Sequence, residues 1–138
     1  MSGVDDGVIL LARLFLAALF LIFGVRKLRD WPGTVAQMVG DGVPTPRLAS
    51  LIAVGMEVPV AFLVAAGAYT RPLARLMALY TLGTSLVEHR FWTVKGEAWL
   101  DKMEAFYKNL SIMGGFLLLF VTGAGAWSID ALCGLPGR

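Results

Sequence analysis

A single carboxylate, Glu57, sits near the middle of an apolar stretch, Leu48 to Tyr69, LASLIAVGMEVPVAFLVAAGAY. The stretch is long enough to cross a bilayer, since about 20 apolar residues suffice. A charge at that depth costs at least about 2.5–3.5 kcal/mol on insertion scales, so Glu57 is expected to face a bundle interior and to have a partner there. A carboxylate so placed can accept a proton, hydrogen-bond a quinone head group or hold a cation. It can equally be a satisfied structural group, paired with Arg13 or bonded to Asn109, Thr84 or Ser85. Pro59, two residues on, removes a backbone donor and frees a carbonyl near Gly55. Stability is given up at this one place, which marks it as the functional or assembly centre.

The remaining polar residues divide into a few candidates. His89, the only histidine, lies between Glu88 and Arg90. Beside a membrane interface it can shuttle a proton or touch a quinone head group, or it can simply orient its loop through hydrogen bonds. Glu57 lies roughly 13 Å along its helix from Leu48, so Glu57 and His89 need not meet. Arg13 interrupts the first apolar run about 7 Å in, at ~1.5 Å per residue. From there its side chain either snorkels to the near interface or turns inward to a carboxylate. Lys27, Arg90 and Lys108, with Asn109, gather at one interface from three segments. They could hold an anionic lipid head group or a partner's acidic patch, although setting topology accounts for them too. Asn109 also suits a helix cap.

Several chemistries are excluded. One histidine cannot supply a bis-histidine haem. One cysteine, Cys133, excludes an internal disulfide, a dithiol and a cysteine-built zinc site. Gly-rich phosphate loops, HExxH and GxSxG are absent. The expectation is therefore no metal site and no covalently bound cofactor, with quinone the one cofactor that the polar residues suit.

The chain has 138 residues, room for one domain spanning residues 1–138. Hydrophobic residues make up 57% and charged residues 16%, against about 45–50% and about 25% in average soluble domains. With the long apolar runs, this points to an integral membrane protein. The net charge of +2 gives no argument for nucleic acid. The acidic start, MSGVDDGV, lacks a basic n-region and a cleavage site, so the first run reads as a retained span. Spans are expected at about 8–26, 48–68, 72–92 and 108–124. The tight link from Ala68 to Pro72 forces antiparallel neighbours. Between spans three and four, Leu100, Met103, Phe106 and Tyr107 recur at helical spacing, which predicts a short interfacial helix. The fold class is thus all-α, an antiparallel four-helix membrane bundle. Arg26, Lys27, Arg29, Arg47, Arg90, Lys95, Lys102 and Lys108 occupy the two large loops and their borders. The positive-inside rule places those loops in the cytoplasm and both termini outside.

In this order, FLIFGVRKL (Phe20–Leu28), GMEVPVAFLVAAGAYTR (Gly55–Arg71), HRFW (His89–Trp92), KNLSIMGGFLLL (Lys108–Leu119) and GAWSID (Gly125–Asp130) resemble the DoxX family. The resemblance implies a small four-span protein of the bacterial inner membrane. It also implies an accessory or anchoring role in a membrane redox complex, quinone-linked or in thiol-oxidant defence. It carries over no catalytic residue. Expected partners are membrane lipid and either a protein in such a complex or a second copy of the chain. A non-enzymatic scaffold or assembly factor is the alternative from another class. A small-solute transporter is a third, with few spans for the task and no inverted repeat.

Overall fold

A computed structural model describes residues 2–135. Every regular element among them is helical: α1 (Gly3–Arg29), α2 (Trp31–Gly40), α3 (Pro46–Gly55), a π turn (Met56–Val60), α4 (Ala61–Ala66), α5 (Thr70–Val87), a 3₁₀ turn (Phe91–Thr93), α6 (Glu97–Thr122) and α7 (Ile129–Cys133). Three stretches are long and apolar enough to cross a membrane: α1, the rod Pro46–Ala66 and α6. α5 falls outside that group, with Arg71 and Arg75 in its first two turns.

Local chemistry sets the boundaries. Ser2 and Asp5 form a reciprocal capping box at the start of α1. Asp30 ends α1 and begins α2, its carboxylate accepting the Gly33 N–H at 3.1 Å. Pro46 opens α3, where a proline costs no hydrogen bond. Gly67 closes α4 with φ +72. Only glycine fits well here, because a Cβ would fall on the Arg13 guanidinium and on Ser128 as well as straining the backbone.

The proline problem at Pro59 is solved by widening one turn. The rod passes from α3 through the π turn to α4 without a break, and the Ala61 N–H reaches back five residues to the Met56 carbonyl. Such bulges absorb a missing donor while keeping the helix axis. The result aims Glu57 inward, where it is buried.

α1 packs along the whole α3–π–α4 rod, and α5 runs along α6 as an extensive pair. The rod and α5 meet through α4 and the π turn, whereas α6 and α1 share the least extensive seam. Phe20, Val64, Met77, Phe116 and Leu119, with small alanines between them, fill the centre. Large apolar side chains also cover the outside: Phe15, Ile22, Leu51, Phe62, Leu79, Leu118 and Val121 are each 60% exposed or more. An apolar patch of this extent is a lipid-facing surface, not a water-facing one.

Two expectations require correction. The stretch Glu97 to Lys108 does not form a separate interfacial helix; it is the first half of α6, which continues unbroken to Thr122. No glycine or proline lies between Glu97 and Ile112 to stop it. The third expected span, to residue 92, is also shorter, since α5 ends at Val87 and Phe91 turns aside in the 3₁₀ segment. There Phe91 stacks edge-on against Trp92, Trp99 and Phe106, pinning the turn onto α6.

Candidate functional site

Glu57 is held by two side chains from two other helices. Lys27 Nζ on α1 reaches both carboxylate oxygens, at 2.7 and 2.6 Å. The Tyr80 hydroxyl on α5 donates to Oε1 at 2.6 Å. The α1 backbone comes close at this crossing because Gly24, one turn before Lys27, has no side chain. A Cβ there would meet Glu57 Cβ at 2.7 Å and backbone at 2.9 Å. Close approach then lets Lys27 lie across the carboxylate with its charge desolvated, which strengthens the pair.

This group forms part of the wall of a cavity of about 850 Å³. His89, Asn109 and Lys108 line the same space, as do Arg26 and Glu88. Phe20, Phe23, Leu19 and Ile112 supply its apolar side. Five of the seven candidate residues, Glu57, His89, Asn109, Lys27 and Lys108, are thus brought together. The structure joins Glu57 and His89 around one cavity although their positions along the chain did not require it. Asn109 does not cap a helix: α6 runs through it, and its amide donates to Thr84 Oγ1 at 3.3 Å. Arg90 lies away from the cavity, its guanidinium 3.4 Å from the Asp41 carbonyl oxygen.

Arg13 does not pair with Glu57. It turns inward at the other end of α1 and is fully buried, in line with Asp6, Ala17, Phe20 and Gly24 on one face. Its guanidinium donates to the Trp127 carbonyl, with the Asp130 carboxylate as the nearby opposite charge. Asp130 in turn accepts the Tyr69 and Thr70 N–H groups at 2.6 and 2.9 Å, capping α5. The Asp130 N–H donates to the Gly67 carbonyl at 2.8 Å, and Asp6 accepts the Ala126 N–H at 2.8 Å. The segment from Ala126 to Asp130 therefore seals the end opposite the cavity.

Tyr80 and the pairing role of Lys27 were not foreseen. Phe20, Gly24 and Lys27 follow i, i+4, i+7 spacing, so the helical phase carried a signal for Lys27. Tyr80 lies within an apolar run and carried none.

His89 is shifted by its surroundings. Partial burial is the largest effect holding its imidazole below the ordinary value of 6.5, and the positive charges of Lys102 and Lys27 add to it; Asp41 opposes them. The imidazolium is thus disfavoured relative to that of a free histidine. An NMR titration of the ring protons is expected to give a midpoint below 6.5. A midpoint above that value would mean that an anion in the cavity mouth outweighs both lysines.

The family profile for DoxX matches residues 8–90, which include Lys27, Glu57, Tyr80 and His89. The chain is 48% identical over 122 residues to the inner membrane protein YphA of Escherichia coli (strain K12), across 88% of this chain and 87% of that protein. It is 36% identical over 132 residues to the inner membrane protein YqjF of the same organism, across 96% of each. No solved structure matches it.

Proposed function

The chain belongs to the DoxX family, and from that premise we propose that it is an accessory or anchoring subunit of a redox complex in the bacterial inner membrane, its polar cavity receiving a quinone head group. The single observation that carries this reading is Glu57, fixed by Lys27 and Tyr80 in the wall of a cavity that His89 and Asn109 also line. The inner-membrane names of the two relatives support the location. In this reading α1, the α3–π–α4 rod, α5 and α6 span the bilayer as an antiparallel bundle. α5 qualifies despite its arginines, because Leu76, Leu79, Leu82 and Leu86 face outward along its length. The positive-inside rule then puts the cavity end, with Arg26, Lys27 and Lys108, on the cytoplasmic side.

The residues present suit a quinone. Asn109 and His89 offer hydrogen bonds to carbonyl oxygens, and Phe20, Phe23 and Ile112 offer flat apolar walls. When bound, the quinone supplies the electron-transfer chemistry. Glu57 would hold or release the accompanying proton, and Lys27 and Tyr80 keep its carboxylate in place. The chain's own residues offer no second redox centre, which is why a complex is proposed.

The scaffold reading has its own support: Glu57 is fully satisfied, as a structural pin must be. Glu57→Gln separates the two. The redox reading expects the Glu57→Gln protein that reaches the membrane to carry roughly tenfold less quinone per molecule, because the neutral amide no longer holds Lys27 and Tyr80 in the cavity wall, a charged hydrogen bond being worth about 1.5–3 kcal/mol. Lowered abundance with unchanged quinone content would favour the scaffold. Native-gel mass spectrometry of the wild type should also find a redox enzyme in the same band; a lone protein there would sink the subunit role.

A further inference from the structure

A second cavity, about 510 Å³, runs along the seam between α1 and α6. Its walls are apolar, formed by Val8, Ala12 and Leu16 on one side and Gly115 and Leu118 on the other, with Thr122 at the far end. It shares Leu19 and Ile112 with the polar cavity. The two therefore adjoin at these side chains, the polar cavity on the Glu57 side and the apolar one beyond. Of the four seams between α1, the α3–π–α4 rod, α5 and α6 in turn, this is also the least extensive. Gly115 leaves the neck open: a Cβ there would meet Leu16 Cδ2 at 2.9 Å. Phe15 and Leu118, 73% and 68% exposed, flank it on the outside.

We infer that the α1–α6 seam holds the tail of the ligand and admits it sideways from the bilayer, and that this tail is a polyprenyl chain longer than one leaflet is deep. The inference rests on the quinone reading of the polar cavity. Its position beside that cavity favours an amphiphile over a helix from a second copy, because a helix would fill the groove and leave the polar half unmatched. The polar end selects among amphiphiles. From Phe23 to Val8 the two cavities together follow α1 for roughly 22 Å at ~1.5 Å per residue. One leaflet of a bilayer with a ~30 Å core is about 15 Å deep. A phospholipid acyl chain can occupy the apolar half but brings no planar ring with carbonyl acceptors for Asn109 and His89, whereas a polyprenyl quinone matches both halves and its tail continues past the midplane.

The test uses the full chain in phospholipid nanodiscs loaded with benzoquinones carrying either two or eight prenyl units, with bound quinone measured after affinity capture. Both probes live in the membrane, so the comparison reads groove packing and not partition from water. The eight-unit probe is expected to bind about fivefold or more tightly at equal mole fraction, the gain coming from packing along the groove. Ala12→Phe fills the groove from an exposed position. It should remove that advantage while leaving the two-unit probe bound as before. Ala18→Phe, exposed on the same helix but off the groove, should change neither. Equal binding of both probes, unaffected by Ala12→Phe, would overturn the seam and leave the polar cavity standing. Binding of neither probe to wild type would overturn the quinone reading and the seam with it. Displacement of the eight-unit probe by added anionic phospholipid would assign the groove to lipid and also overturn the inference.

Discussion

A Lys27→Met variant should lose about 3 kcal/mol or more of stability, because it leaves the Glu57 carboxylate buried with its main counter-charge gone. Lys27 is itself only 24% exposed at its side chain and Glu57 6%, so water from the cavity replaces the lost counter-charge only in part. The Tyr80 hydrogen bond remains but brings no charge. The double variant Lys27→Met with Glu57→Gln should recover much of the loss, since removing both charges relieves the penalty that removing one creates. Melting of all four proteins in one detergent gives the coupling energy directly. If Lys27→Met alone melts with the wild type, the carboxylate is not carrying a buried charge and the pair does not hold α1 to the rod.

Asp130→Ala should be comparably damaging at the opposite end, by about 3–5 kcal/mol. The substitution uncovers the Tyr69 and Thr70 N–H groups at the start of α5 and removes the charge facing buried Arg13. Asp130→Asn keeps one acceptor for α5 but not the charge, so it should fall between wild type and alanine. The readout is again the melting temperature, with proteolysis of the α4–α5 link as a local probe. Equal stability of the alanine variant would show that Arg13 is held by the Trp127 carbonyl alone.

The sequence was readable where one residue contradicted its surroundings. Glu57 stood out as a carboxylate in an apolar run, and the insertion cost alone predicted that it was inside and partnered. Its partner was not readable in the same way. Lys27 belongs to a basic group at a helix end, and such groups are explained by topology before anything else. Only its phase with Phe20 and Gly24 separates it from Arg26 and Arg29. Arg13 was similarly ambiguous by depth, yet its alignment with Ala17, Phe20 and Gly24 along one face already pointed inward. Asp130 carried no signal at all, because its partners are backbone groups 60 residues earlier. The false interfacial helix arose from the reverse error. Tryptophans and charges near Glu97 mark an interface, but they do not stop a helix that lacks a glycine or proline.

The seal at the far end bears on when the molecule can close during its synthesis. The contacts that fix Glu57 join residues 30 and 23 apart in sequence, so they can form as soon as α5 has emerged. The contacts that close the opposite end join residues 114 and 120 apart, and they wait until Trp127 and its neighbours exist. Until then Arg13, deep in the first helix, has no carbonyl to receive it, and the N-terminus of α5 has no cap. The insertion machinery therefore handles an intermediate with its Lys27–Glu57 pair formed and its other end open.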